Sequence, residues 1–140
     1  MTEPPLPREV PERTLDAALG FELLEWGDER ARGRFPVEDR VRQAYGIVHG
    51  GAYAALAEWV VSVATAAAVH DDGMLAMGQG NQTSFLRPVS SGTITADARR
   101  RHRGRTSWVW DVDFTDDQGR LCAVTRVTMA VRPAPTSQAP

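Results

Sequence analysis

Gly46-Ile47-Val48-His49-Gly50-Gly51-Ala52-Tyr53-Ala54-Ala55-Leu56-Ala57-Glu58-Trp59-Val60-Val61-Ser62 is the stretch on which the reading of this chain turns. Two adjacent glycines allow a backbone to approach a ligand closely. A helix that opens there points unpaired N–H groups and the positive end of its dipole at whatever binds. Glu58 is the one charged residue in an otherwise apolar helix, and a carboxylate in such a setting is costly unless it has a partner or a chemical task. The combination points to an enzyme that stabilises a developing oxyanion and uses a carboxylate in the attack.

The apolar pattern predicts a helix over residues 50–69, stopped by Asp71-Asp72-Gly73. Its length approaches the ~20 residues of a membrane span. It is rich in alanine, however, and Glu58 near its middle would cost at least ~2.5 kcal/mol in a bilayer. A buried core helix is expected, with no membrane as partner. Working outward, Thr14 caps a short helix that Gly20 ends. Strands are expected at 21–26 and 31–37 around the turn Gly27-Asp28-Glu29-Arg30. Further strands are expected at 75–86, 92–101, 106–114 and 121–132, the last two joined by the hairpin turn Asp116-Asp117-Gln118-Gly119. Trp108, Trp110, Val112 and Phe114 alternate with Val109, Asp111 and Asp113, as in a half-buried strand. One long apolar helix and five or six antiparallel strands imply an α+β domain over residues 14–132, with the sheet wrapped around the helix. Residues 1–13, with prolines at 4, 5, 7 and 11, and residues 133–140 read as flexible tails.

Composition bounds the function further. A chain of 140 residues is one domain by default, and its 42% hydrophobic content is that of an ordinary globular protein. A net charge of −2 demands neither nucleic acid nor an anionic membrane. The single Cys122 rules out an intrachain disulfide framework and a cysteine-based zinc site, and it suits a reducing, cytoplasmic setting. His70-Asp71-Asp72 has a metal-like look, but a histidine at a helix C-terminus is favourable without one. No metal and no cofactor are expected.

The set Gln43…Gly46…His49-Gly50-Gly51…Leu56-Ala57-Glu58…Ser62 resembles the hotdog-fold acyl-CoA thioesterases of the phenylacetate-pathway and hydroxybenzoyl-CoA type. Phe85-Leu86-Arg87-Pro88 followed by Gly92, and Gly104-Arg105 followed by a strand and Asp117-Gln118-Gly119-Arg120-Leu121, fit the same pattern. The resemblance runs from about Phe21 to Arg132. It implies that the Gly50 N–H binds the thioester carbonyl and that Gln43 helps to hold it. Glu58 would be nucleophile or general base. Gln43 and Glu58, where many relatives carry Asn and Asp, resemble the branch acting on aromatic acyl-CoA, as does Ser62. Phe85 departs from some members of the menaquinone branch, which have His nearby. Ser62 either orients Glu58 or attacking water, or satisfies a helix carbonyl, as Thr65 would one stripe position on. His49 is expected to order the loop before the helix by bonding backbone or Gln43. Tyr53, Trp59, Met77 and Phe85 are candidate walls of an acyl pocket.

Spacing adds a constraint of its own. Gly50 and Glu58 are eight residues apart, or ~12 Å along a helix axis. A reacting group must lie within roughly 3–3.5 Å of its attacker, so one helix cannot supply both to one acyl group. Two antiparallel helices across a two-fold would, which predicts self-association as a dimer; a tetramer is what the resemblance implies. The run Arg99-Arg100-Arg101-His102-Arg103-Gly104-Arg105 is either a solvated hairpin or a phosphate site. Gly51, Arg87, Arg105, Thr106 and Ser107 stand where the resemblance puts contacts to substrate and CoA. Competing readings are an enoyl-thioester hydratase or dehydratase using a histidine, a non-catalytic acyl-CoA-binding protein, and a structural oligomerisation module.

Overall fold

Thr14 is the cap of the first helix: its Oγ1 accepts the Ala17 N–H at 3.2 Å and starts α1 (Leu15–Ala18). Gly20 leaves that turn at a φ of 74°, where a side chain would be strained. The computed structural model describes residues 10–135; the tail readings for 1–9 and 136–140 lie outside the described residues. β1 (Glu22–Trp26) and β2 (Arg30–Pro36) form a hairpin. A 3-10 turn at Asp39–Val41 leads to α2 (Gly50–Val69), the expected long helix. β3 (Met74–Phe85), β4 (Thr93–Arg103), β5 (Ser107–Thr115) and β6 (Leu121–Pro133) complete the chain. The strand limits differ from the sequence expectation by at most two residues, the usual fraying of such boundaries.

All pairings are antiparallel, in the order β1-β2-β4-β5-β6-β3. The sheet wraps α2, which is the hotdog arrangement the resemblance implied. Alternation puts Trp108, Trp110, Val112 and Phe114 of β5 into the core against Leu56, Val60 and Val61 of α2, all of them buried. Trp110 donates its indole N–H to Thr65 Oγ1 at 3.0 Å, and that hydroxyl donates to the Val61 carbonyl at 2.7 Å. Thr65 is thereby a core residue closing its own helix, as the bland reading of the hydroxyl stripe had it.

The helix, with its 3-10 extension to Asp72, is long and apolar enough to cross a membrane by length and composition. Its apolarity has another cause: most of its surface is covered by the sheet. One face is more open than the rest, with Gly51 and Glu58 exposed and Ala55, Ser62 and Ala66 half-buried between and beyond them. That face runs beside β3, which has a strand neighbour on one side only.

Candidate functional site

The start of α2 is built by His49. Its Nδ1 accepts the Gly51 N–H at 2.8 Å, and its own N–H donates to the Val41 carbonyl at 2.7 Å. The loop is tied on its other side by the Val48 N–H to the Val89 carbonyl, 2.8 Å. His49 therefore caps the helix through Nδ1. The Gly51 N–H is occupied, so Gly51 can serve a ligand only by lacking a side chain; a Cβ there would lie 3.0 Å from the His49 ring. The Gly50 N–H has no acceptor among the described residues. A Cβ on Gly50 would lie 2.6 Å from the Phe85 ring, which would have to swing aside.

Gly50 opens onto a cavity of about 380 Å³ whose walls include Gln43, Tyr53, Phe85 and Arg87. Gln43 sits at the head of a tight turn: its N–H donates to the Ile47 carbonyl at 2.9 Å and its carbonyl accepts from Gly46 at 2.9 Å. Gln43 Oε1 accepts the Tyr45 N–H, and its carboxamide N–H groups have no partner among the described residues. Two of the four expected pocket walls are in place. Tyr53 and Phe85 line the cavity, their ring centroids 6.1 Å apart. Trp59 does not, because it packs on Phe21 at 5.9 Å, and Met77 is exposed on β3.

Glu58 lies elsewhere, in a shallow exposed groove against Gly78, Gln79, Gly80 and Asn81 of β3. A Cβ on Gly78 would fall 2.7 Å from Glu58 Oε1. The pairing of β3 with β6 slips between Gly78 and Gly80, a bulge that bends the strand beside the carboxylate. Asn81 Nδ2 donates to the Ala54 carbonyl at 3.0 Å and pins the strand to the helix there. Among the described residues no hydrogen bond or ion pair ties Glu58 down. Ser62 is one turn further on the same face, but its hydroxyl meets Met129 Sδ at 3.8 Å instead of Glu58. Asp16 of α1 is near enough to matter: burial first, and then the charge of Glu58, hold its carboxyl above the usual range. The sequence reading missed Gly78, Gly80 and Asn81. Two glycines inside a strand were the available signal, since such positions mark bulges or close approaches.

Within one chain, Gly50 and Glu58 do not share a cavity. Arg87 and Arg105 are also apart within one chain. Arg105 and Thr106 form the β4–β5 turn, and Ser107 opens β5 opposite Ala130, itself opposite Met77. Phe85 is eight positions away along β3, roughly 25 Å at ~3.3 Å per residue. The Arg87 N–H donates to the Cys122 carbonyl at 3.1 Å, and its side chain lines the Gly50 cavity. Most of the arginine run is structural. Arg100 and Arg103 both bind Asp28, at 2.6 and 2.9 Å, and stack on Trp108 at 5.0 and 4.7 Å. Arg101 reaches Asp111 at 3.5 Å.

Comparison with known proteins agrees with this architecture. The family model described as Thioesterase superfamily matches residues 45–123, from just after Gln43 to β6. The chain is 37% identical over 118 residues to the proofreading thioesterase EntH of Cronobacter turicensis, covering 84% of this chain and 85% of that one. A crystal structure of a variant of thioesterase PA1618 from Pseudomonas aeruginosa, with one glutamine replaced by alanine, superposes with a TM-score of 0.83 at 34% identity, covering 87% and 88% of the two chains. Thioesterase SAV0944 from Staphylococcus aureus has been solved with a glutamine replaced by alanine (TM-score 0.81, 28% identity, 85% and 98% covered). It has also been solved with a glutamate replaced by alanine (TM-score 0.82, 29% identity, 86% and 99% covered). The chain belongs to the thioesterase superfamily and is a thioester hydrolase.

Proposed function

We propose that the substrate is an acyl-CoA, with an aromatic acyl group, and that each site is assembled from two copies of the chain. One observation carries this reading: an unpaired helix-start N–H and a free carboxamide share one cavity, while the untethered carboxylate lies on a separate exposed face of the same helix. The Gly50 N–H and the Gln43 carboxamide would hold the thioester oxygen. One such donor is typically worth ~2.7–4 kcal/mol in the transition state. Glu58 of the other copy would attack the carbonyl carbon, expelling CoA thiolate and leaving a mixed anhydride for water to open. Alternatively it would take the proton from an attacking water. In SAV0944 the glutamine and glutamate that were replaced are fifteen residues apart. Gln43 and Glu58 have the same spacing, which supports giving both a role here.

The dimer follows from the edge strand. A two-fold axis beside β3 would pair it with its copy antiparallel and cover the open face of α2. The Phe85 end of one β3 would then lie beside the Met74–Met77 end of the other. Gly50 and Arg87 of one copy would thereby come beside Glu58 and Arg105 of the second, reuniting the separated residues and setting two arginines where CoA phosphates could lie. Met77, Phe85 and Leu86 are all more than half exposed in the single chain, as residues awaiting a partner would be. A tetramer rests on the resemblance alone. The hydratase reading is disfavoured because His49 Nδ1 accepts the Gly51 N–H, which leaves Nε2 as the protonated nitrogen of the neutral ring, with no lone pair for a base. The test is a free-thiol assay over aromatic, short-chain and long-chain acyl-CoAs. Fastest release from an aromatic thioester is expected; no thiol from any CoA ester would reject CoA as the carrier.

A further inference from the structure

Asparagine is depleted from strands, yet β3 places one at Asn81, directly after the bulge that faces Glu58. Both ends of its carboxamide are bonded. Nδ2 donates to the Ala54 carbonyl at 3.0 Å, and Oδ1 accepts the Thr83 hydroxyl at 2.9 Å. Thr83 Oγ1 lies 3.0 Å from Thr125 Oγ1, its direct partner across the β3–β6 pairing. A hydroxyl carries one proton. Thr83 gives its proton to Asn81, so Thr125 is the donor in the bond between the two threonines. The protons therefore run one way, from buried Thr125 through Thr83 and Asn81 to the helix. That order also fixes which end of the carboxamide faces α2.

Ala54 links this chain of bonds to Glu58. Within α2 the Ala54 carbonyl is the acceptor for the Glu58 N–H, four residues on. Asn81 thus binds the oxygen that closes the helical turn carrying the carboxylate. It makes the one hydrogen bond between β3 and α2 among the described residues. The rest of the strand wall beside Glu58 is Gly78, Gln79 and Gly80. Two glycines and a bulge are a backbone with little shape of its own to hold. Glu58 has no hydrogen bond or ion pair among the described residues, so its place is set by that wall. We propose that Asn81 is a positioning residue for Glu58. Through Thr125 and Thr83 it holds the glycine bulge against the Ala54–Glu58 turn and keeps the carboxylate in one place. This rests on the reading of Glu58 as the group that attacks or activates water.

The experiment is steady-state kinetics on the acyl-CoA that the free-thiol screen finds hydrolysed fastest. Asn81→Leu keeps a side chain of similar size with no donor and no acceptor. Its kcat should fall by ~10- to ~10²-fold, the scale of a misplacement of about 1 Å or less. KM should stay within ~2-fold of native, because ground-state binding is untouched. Thr83→Val leaves Asn81 in place but removes the hydroxyl that orients it, and should lower kcat in the same direction. Thr83→Ser, which keeps the hydroxyl, should restore what Thr83→Val loses. These two variants carry the test if Asn81→Leu fails to fold. The cycle with Glu58→Gln separates positioning from general support. With the carboxylate gone there is nothing left to place, so adding Asn81→Leu should change the residual rate of Glu58→Gln by less than ~2-fold. Native kcat in Asn81→Leu and Thr83→Val, or an equal loss from Asn81→Leu with and without the Glu58 carboxylate, overturns the role of Asn81 and spares that of Glu58. Native turnover by Glu58→Gln alone overturns both.

Discussion

Glu58 is positioned by space instead of by partners. The room comes from Gly78, where a Cβ would sit 2.7 Å from Oε1, and from the bulge that carries the strand past the carboxylate. Glu58→Gln keeps the shape and removes the charge that the proposed attack or proton abstraction would use. Its kcat is expected to fall by at least ~10²-fold. Gly78→Ala leaves the carboxylate in place chemically but forces it aside, and a misplacement of about 1 Å can cost ~10²-fold. Both variants should bind substrate normally and keep the native circular dichroism spectrum. Steady-state kinetics decide the matter: native turnover by Gly78→Ala would show that the Gly78 clearance has no catalytic meaning.

Between elements, arginine–carboxylate pairs bridge neighbouring strands. Arg30 on β2 holds Asp97 on β4 through two bonds of 3.1 and 2.6 Å, and Arg126 on β6 holds Asp111 on β5 through 2.8 and 3.1 Å. The hydrogen bond from Arg30 keeps the Asp97 carboxyl below its usual range, and that from Arg126 does the same for Asp111. A carboxyl with a depressed folded pKa contributes stability above its unfolded value, about 3.9, and loses it as pH falls through the folded value. The melting temperature should therefore drop below about pH 4. The double variant Asp97→Asn and Asp111→Asn should show a shallower acid limb in melts from pH 7 to pH 2, the difference being small because the pairs are partly exposed. Asp16 acts with the opposite sign, since its raised carboxyl favours the fold at the acid side and withdraws that contribution as pH rises through its folded pKa. An unchanged acid limb in the double variant would show that the two strand pairs carry no linkage.

For the whole molecule the question is whether one chain suffices. In the proposed two-fold dimer each site would take its oxyanion donor from one copy and its carboxylate from the other. Glu58→Gln chains and Gly50→Ala chains are each expected to be inactive. Unfolded together and refolded, they should recover roughly a quarter of native activity, since half the dimers of a random two-fold assortment are mixed and each carries one intact site. Mixed dimers that form and stay inactive would refute the shared site.

Local chemistry made much of this legible from the chain alone. The helix at Gly50–Val69, the Thr14 cap, and the inward set Trp108, Trp110, Val112 and Phe114 follow from periodicity and capping residues within a few positions. The expectation of two copies came from helix rise, because Gly50 and Glu58 are fixed on one rigid rod. Tertiary structure decided the rest. β3 pairs with β6, an element far along the chain, and only that register sets Gly78 against Glu58 and separates Arg87 from Arg105. Trp59 turning to Phe21, and the Tyr53 hydroxyl left enclosed among rings, likewise depend on which elements meet. Hydrophobic pattern tells a side chain to leave water, but what it then faces is set by packing between strands and helix that no local run of residues encodes.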